Sequence, residues 1–347
     1  MPPTKYGKFV TRDIIGESKY PQITTPIARY QGCRGGGNAM TCEWSCITKP
    51  LIMDDEPEVD NERDQFLLFG SSNIDDGNEF QAEIELSLGK EGKRIVIDEP
   101  TYVYIPKGLV HGPVEFKTIR KPITYFSYFL SPEFSTDWVA PDISKYVSKL
   151  SDIKRRMPPP KPGTPPCVQQ NDSEGKALRH IRVNMDVGLA YELWSSVHGW
   201  PAKVSPVYMV NRYRDNFFTE PVHAHRASHQ ISMYLGSNPL DIEDFDAKIE
   251  IFMGKEREEH VIDTCAVDHY VPGIVHMGDE VRRVNKPFIK IMWAIGPDMN
   301  DYFKAAAKDK VVLSDESKGE VMISEGAIDY VPPTKIEDWV WPYPNKQ

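Results

Sequence analysis

The stretch FQAEIELSLGKEGKRIVID, residues 80–98, decides the fold because the chain repeats it. At an offset of 165 residues it lies over FDAKIEIFMGKEREEHVID, residues 245–263, and 10 of the 19 positions are identical. The same offset superposes His111 on His276. This repetition indicates an internal duplication, so we expect two domains that share one architecture.

Both copies show the alternation that predicts β-strands with one buried face. Ile84 and Leu86 alternate with polar neighbours in the first copy, as Ile249 and Ile251 do in the second. Further β-rich runs recur along the chain with Gly, Pro, Asn and Asp between them, which is typical of an antiparallel sandwich or barrel. We therefore predict an all-β protein built from two tandem β-barrels.

A proline-rich segment separates the two copies. Six prolines lie within residues 158–166, and such a stretch behaves as an extended spacer rather than as part of a sheet. We predict an N-terminal domain at 1–156, a linker at 157–169 and a C-terminal domain at 170–347. A few flanking helices are expected. A proline in the first turn and apolar spacing favour one over 141–156, which would close the first domain, and 298–310 would close the second in the same way.

Charge and hydropathy exclude several classes of partner. The chain has 51 acidic and 41 basic residues and a formal charge of −10, so it lacks the basic surface that nucleic acids or anionic membranes favour. No apolar run reaches the roughly 18 residues of a membrane helix, and the first residues lack a signal-peptide pattern. We expect a cytoplasmic protein with a small-molecule substrate, forming a homo-oligomer, with no nucleic-acid or membrane partner.

Histidines are concentrated in HAHRASH, residues 223–229. On a strand, His223 and His225 point to the same face, and His229 has the parity to join them. Three imidazoles inside an otherwise apolar barrel are costly to bury without partners, and a divalent transition metal resolves that cost. His276 offers a fourth ring from the second copy.

The spacing of these residues resembles the two motifs of the cupin superfamily. The first motif is HxH followed by a ligand-type residue and a glycine, and the second is PxGxxH. In the C-terminal copy the first motif is matched by His223, His225 and Gly236. The second motif is matched in the first copy by Pro106, Gly108 and His111. In the C-terminal copy it is matched, with one residue deleted, by Pro272, Gly273 and His276. The resemblance covers both halves.

This resemblance implies a bicupin, that is, two jelly-roll barrels in one chain. Family sites hold a metal with both histidines of HxH, a glutamate and the histidine of the second motif. Here His229 occupies the glutamate position if three residues intervene, and Gln230 occupies it if four do. We predict one divalent metal, Fe, Mn or Zn, held by His223, His225, His229 and His276, with Gln230 as the open alternative to His229.

The first copy has no equivalent of the HxH motif. Opposite it stands EPEVDNERDQ, residues 56–65, which contains no histidine. The acidic residues of this segment favour a surface turn over a site for a hard cation. We therefore expect a structural N-terminal barrel and an active C-terminal barrel.

A site of neutral ligands leaves the charge of the cation uncompensated and favours a substrate with anionic oxygens, which the metal can polarise as a Lewis acid. We expect an enzyme that cleaves a carbon–carbon bond of a β-dicarbonyl or polyhydroxylated cyclic compound, by hydrolysis or with dioxygen. Alternatives are a gentisate-type Fe(II) ring-cleaving dioxygenase, a metal-dependent isomerase or decarboxylase, and a non-catalytic binding protein. The catalytic base stays open among Glu220, Glu250, Tyr234 and Tyr270.

Overall fold

The computed structural model describes most of the first predicted domain and part of the second. The residues described with side chains are 4–32, 41–73, 78–132, 135–140, 142–149, 229–254, 258–271, 274, 276 and 279–295, with small exceptions at 280 and 294. Five further strand segments are described by their backbone, at 170–171, 177–178, 209–213, 314–315 and 320–321. Within these residues, no helix is long and apolar enough to cross a membrane.

In the described residues, the first half contributes twelve strands. They are β1 (Val10–Thr11), β2 (Ile15–Gly16), β3 (Ile27–Gln31), β4 (Thr41–Ile47), β5 (Leu51–Met53), β6 (Gln65–Ser71), β7 (Ala82–Leu88), β8 (Lys93–Ile97), β9 (Thr101–Ile105), β10 (His111–Ile119), β11 (Ile123–Phe129) and β12 (Val147–Lys149). All but β1 form two antiparallel sheets, ordered β12-β9-β6-β11-β4-β3-β2 and β5-β10-β7-β8.

The second half repeats this arrangement. Its strands are β13 (Gln170–Asn171), β14 (Ala177–Leu178), β15 (Met209–Tyr213), β16 (His229–Gly236), β17 (Ala247–Met253), β18 (Glu258–Ile262), β19 (Ala266–Tyr270), β20 (Glu280–Val284), β21 (Phe288–Ile295), β22 (Ser314–Asp315) and β23 (Glu320–Val321). The main sheets are β1-β19-β16-β21-β15 and β18-β17-β20, and β13-β14 and β22-β23 form separate pairs.

The duplication read from the sequence is confirmed strand by strand. Three pairs of strands, β7 and β17, β8 and β18, β9 and β19, begin and end 165 residues apart. The central order β9-β6-β11-β4 in the first half corresponds to β19-β16-β21-β15 in the second. The predicted all-β architecture of two antiparallel jelly-roll barrels is therefore confirmed.

The edge strand beside β19 comes from the start of the chain. Val10 pairs with Asp268 and Thr11 with Val267, so β1 takes in the second sheet the place that β12 takes beside β9 in the first. Tyr6 and Val10 are buried in the core of the second barrel. The predicted domain 1–156 therefore gives its first strand to the other barrel. The remaining boundaries stay predictions, and the linker 157–169 lies outside the described residues.

The expectation of flanking helices is corrected where the structure describes the chain. In the described residues the helical elements are two 3-10 turns, Gly7–Phe9 and Ile143–Tyr146. Asp142 caps the second turn, its carboxylate accepting a hydrogen bond from the backbone N–H of Ser144 at 2.8 Å. The predicted helix over 141–156 is wrong at Val147–Lys149, because these residues pair with β9 as an edge strand. Residues 150–156 lie outside the described residues. The segment 298–310 lies outside the described residues.

The two large sheets pack against each other through aromatic side chains. Trp293 of β21 lies 5.4 Å from the ring of Phe126 and 6.3 Å from that of Tyr128, both on β11. All three side chains are buried and belong to a core that contains residues of both halves. One face of each large sheet therefore lines the contact between barrels, and the opposite face lines the interior of its own barrel.

Candidate metal centre in the second barrel

His276 is buried in the second barrel with a defined ring orientation. Its Nδ1 lies 2.9 Å from the carbonyl oxygen of Ile274, and its ring stacks on Tyr270 with centroids 3.9 Å apart and planes 10° apart. A carbonyl only accepts, so Nδ1 carries a proton, and in the neutral form of the ring Nε2 carries the lone pair. Such a hydrogen bond from the second ring nitrogen is typical of metal-ligating histidines.

The first copy has the same local geometry around His111. Its Nδ1 lies 3.0 Å from the carbonyl oxygen of Leu109, 165 residues before Ile274. His111 also pairs with Leu88, and His276 pairs with Met253, the counterpart of Leu88 at the offset of 165. The orientation of these two rings is therefore a property of the duplicated motif.

His229 lies at the contact between the two barrels. Its Nδ1 is 2.9 Å from Nε2 of His269, and Nδ1 of His269 is 3.1 Å from the hydroxyl of Tyr30 in the first half. Burial lowers the pKa of His229 to about 4, and burial together with the neighbouring His229 lowers that of His269 to about 3. Both rings are therefore neutral near pH 7.

The expectation that His229 shares a face with His276 is wrong. Strand β16 begins at His229, and neighbouring residues on a strand point to opposite faces. Gln230 pairs across the sheet with Tyr270, and Ile231 pairs with His269. Gln230 therefore lies on the face of Tyr270, which stacks on His276, while His229 lies on the face of His269. Gln230 is only 3% exposed.

The first copy uses the position of His229 for a structural hydrogen bond. Gln65 pairs with Ile105 in the first sheet as Gln230 pairs with Tyr270 in the second. In this register Asp64 is the counterpart of His229, and Tyr104 is the counterpart of His269. The hydroxyl of Tyr104 donates to Asp64 at 2.8 Å, and Asp64 is buried. The predicted acidic surface turn is therefore wrong at Asp64, and burial raises the pKa of this carboxyl.

The remaining predicted ligands, His223 and His225, lie outside the described residues. Among the residues that the structure describes, no group of three or more His, Cys, Asp or Glu side chains is placed to hold a metal ion. His276 is thus the described member of the predicted site that faces the barrel interior. The four-ligand site stays a prediction.

A buried polar cluster, which we call the Asp268 network, lies in the same barrel. Its members are Ser232, Tyr234, Asp268, Asp279 and Lys290, all at most 5% exposed. The hydroxyl of Tyr234 is 2.8 Å from Oδ2 of Asp268 and 2.9 Å from Oδ1 of Asp279. Lys290 donates to Oδ1 of Asp279 at 2.8 Å, and the backbone N–H of Ser232 donates to Asp268 at 3.1 Å.

This network was not predicted from the sequence, although a comparison of the two copies points to it. At the offset of 165, or in the strand register that matches it, the five positions are apolar or aromatic in the first copy: Leu67, Phe69, Val103, Val114 and Tyr125. All five are buried. A comparison of the two copies for polar replacements on inward-facing positions would have identified the network.

The structure also separates the candidate catalytic bases. Glu250 points away from the barrel interior, between Lys248 at 2.9 Å and Arg282 at 2.6 Å, and hydrogen bonds to both cations lower its pKa. Tyr234 and Tyr270 are buried in the core of the second barrel. Glu220 lies outside the described residues.

Comparison with known proteins gives only distant structural likeness. No family model matches the sequence, and no curated protein is similar to it. The chain is similar in structure to AerE from Microcystis aeruginosa, with 11% identity, 83% of this chain and 99% of that chain covered, and a TM-score of 0.44. It is similar to oxalate decarboxylase from Bacillus subtilis, with 11% identity, coverage of 84% and 77%, and a TM-score of 0.46. It is also similar to vicilin from hazelnut, Corylus avellana, with 7% identity, coverage of 84% and 86%, and a TM-score of 0.49.

The fold and the site together define a class, a protein of two tandem jelly-roll barrels in which, among the described residues, the Asp268 network occurs in the second barrel and is replaced by apolar or aromatic residues in the first. The distinction rests on the five replaced positions and on the HxH motif, both of which occur in the second copy.

Proposed function

We propose that the second barrel holds one divalent transition metal, Fe, Mn or Zn, and that the chain is a metal-dependent enzyme acting on a small oxygen-rich molecule. The proposed ligands are His223, His225 and His276, with Gln230 in the third-ligand position of the motif. The observation that carries the proposal is the buried ring of His276, whose Nδ1 donates to the carbonyl oxygen of Ile274 so that Nε2 is the nitrogen available to a cation.

The donor set suits such a cation. Imidazole nitrogens are preferred ligands of Fe, Mn and Zn. Tyr270 and the Ile274 carbonyl hold the ring from two sides, which limits the rotation that would misdirect Nε2. When bound, the cation would supply Lewis-acid polarisation of a substrate oxygen.

We further propose that the reaction breaks a carbon–carbon bond of a β-dicarbonyl or polyhydroxylated cyclic compound. All four proposed ligands are neutral, so an anionic oxygen of the substrate balances part of the charge of the cation. Near the site, the phenol of Tyr270 and the hydrogen-bonded Asp268 network are polar groups of the barrel interior. These groups would orient an oxygen-rich molecule and restrict the entry of bulk water.

The test is a turnover assay on the purified protein with β-diketones and hydroxylated aromatic acids, run in air and under strict anoxia. We expect carbon–carbon cleavage with at least one substrate class, with activity lost in His225→Ala and kept in His111→Ala. Consumption of dioxygen in an amount equal to the product formed would indicate oxidative cleavage. Equal rates of product formation with and without air would indicate hydrolytic cleavage. Binding without turnover across both panels would contradict an enzyme and favour a binding protein.

A further inference from the structure

The hydrogen bonds of the Asp268 network need one more proton than the hydroxyl of Tyr234 provides. Tyr234 has a single hydroxyl hydrogen, yet its oxygen lies within 2.9 Å of carboxylate oxygens of both Asp268 and Asp279. Both contacts are hydrogen bonds only if one of the two carboxyls is protonated. Lys290 donates to Asp279 at 2.8 Å, which favours the ionised form of Asp279, so the proton resides on Asp268.

This assignment makes the network electrically neutral. The ammonium of Lys290 balances the carboxylate of Asp279, and Asp268 is an uncharged acid. Neutrality is required because an unpaired charge in an apolar barrel is strongly disfavoured. Burial, the largest cause, together with the nearby Asp279, raises the pKa of Asp268 to about 7 against the opposing effect of Lys290. Removal of the shared proton would leave one net negative charge in the second barrel.

A single aromatic ring connects the network to the proposed ligand. The hydroxyl of Tyr270 donates to Oδ2 of Asp268 at 3.4 Å, and the ring of Tyr270 stacks on His276. Among the residues that the structure describes, Tyr234, Asp279 and Lys290 are the further ionisable groups that act on Asp268. A charge on Asp268 therefore acts on His276 across a buried, low-dielectric path.

Resting on the metal site proposed above, we propose that the Asp268 network is the buried counter-charge of the cation. Binding of a divalent cation releases the shared proton of Asp268 to solvent, and the resulting carboxylate offsets one of the two positive charges that neutral ligands leave uncompensated. The internal duplication supports this role, because the first barrel lacks the HxH motif and has apolar or aromatic residues at all five positions of the network.

The experiment is calorimetric titration of metal-free protein with Mn(II) and Zn(II) at pH 6.5, in two buffers of different ionisation enthalpy. The slope against buffer enthalpy counts the protons released per cation. We expect the wild type to release about one proton more than Asp268→Asn, which is neutral at every pH. At pH 8 we expect Asp268→Asn to bind about tenfold more weakly than the wild type or worse, with the difference closing as the pH falls.

Two further variants keep the test decisive. Tyr234→Phe introduces the residue of the first copy, Phe69, and makes Asp268 harder to ionise, so affinity at pH 8 should again fall. Asp64→Asn removes a buried carboxyl from the first barrel and should leave affinity and proton release unchanged. If Asp268→Asn does not fold, the cation affinity and proton release of Tyr234→Phe are compared with those of Asp64→Asn instead.

The outcomes separate this inference from the metal site itself. If His276→Ala leaves cation binding unchanged, the proposed site fails. If His276→Ala abolishes binding while Asp268→Asn and Tyr234→Phe bind with unchanged affinity and proton release, the site stands and the counter-charge role of the network is overturned.

Discussion

The rings of Tyr270 and His276 lie parallel, with centroids 3.9 Å apart. Tyr270 therefore fixes the plane of the proposed ligand without binding the cation itself. We predict that Tyr270→Ile, which introduces the residue of the first copy at Ile105, lowers the affinity for Zn(II) by about 10- to 100-fold, as losses of outer-shell partners typically do. Competition with a chromophoric chelator measures this, and unchanged affinity would contradict a positioning role for Tyr270.

The raised pKa of Asp268 predicts a specific dependence of stability on pH. Because its pKa is about 7 in the folded protein and 3.8 as the reference value, its contribution is fully present below pH 3.8 and is lost as the pH rises through 7. One pKa unit corresponds to about 1.4 kcal/mol, so the loss reaches about 4 kcal/mol.

Asp268→Asn removes this titration while it keeps the side-chain volume. We predict that the free energy of unfolding of the metal-free variant rises relative to wild type between pH 4.5 and pH 7.5. Urea unfolding at several pH values measures the difference. A difference that stays constant over this range would show that Asp268 titrates in the folded protein as it does in the unfolded chain.

The contacts of His229 predict a structural rather than a ligating role. His229→Ala removes its hydrogen bond to His269 and leaves that ring with one fewer partner at the contact between barrels, which typically costs about 1–3 kcal/mol. We expect lower stability with unchanged metal affinity, whereas Gln230→Ala should weaken metal binding. The reverse pattern would restore His229 to the ligand set.

Gly254 allows the N-terminal segment to pack on the second barrel. Its φ is +74°, and a Cβ atom there would overlap the ring of Tyr6. Its counterpart Gly89 has a φ of +79°, but a Cβ atom would lie 3.1 Å from the flexible end of Ile143.

Alanine at either glycine adds about 1–2 kcal/mol of left-handed strain. We predict that Gly254→Ala lowers the free energy of unfolding more than Gly89→Ala, because only the former displaces Tyr6. In the background Tyr6→Ala the two substitutions should cost nearly the same. Equal costs in the wild-type background would contradict tight packing of the N-terminal segment.

Strand positions and the duplication were predictable from sequence, because alternation of Ile84 and Leu86, repeated at Ile249 and Ile251, reports burial on one face directly. The face on which His229 lies was not predictable from sequence. Alternation from His223 and His225 assigns a face to His229 only if one strand runs through all three residues, and β16 begins at His229. Pairing of Val10 with Asp268 leaves no local pattern, because the contact joins distant parts of the chain. At Val147–Lys149 the helical spacing was overridden, because the open edge of the sheet beside β9 offered backbone hydrogen bonds.

The most direct test of the metal centre is elemental analysis of purified His276→Ala beside His111→Ala. The two histidines share the same hydrogen bond to a carbonyl two residues earlier, so the pair is matched in local structure. We predict about one equivalent of transition metal per chain in wild type and in His111→Ala, and less than about a tenth in His276→Ala. Equal metal content in the two variants would contradict a centre in the second barrel.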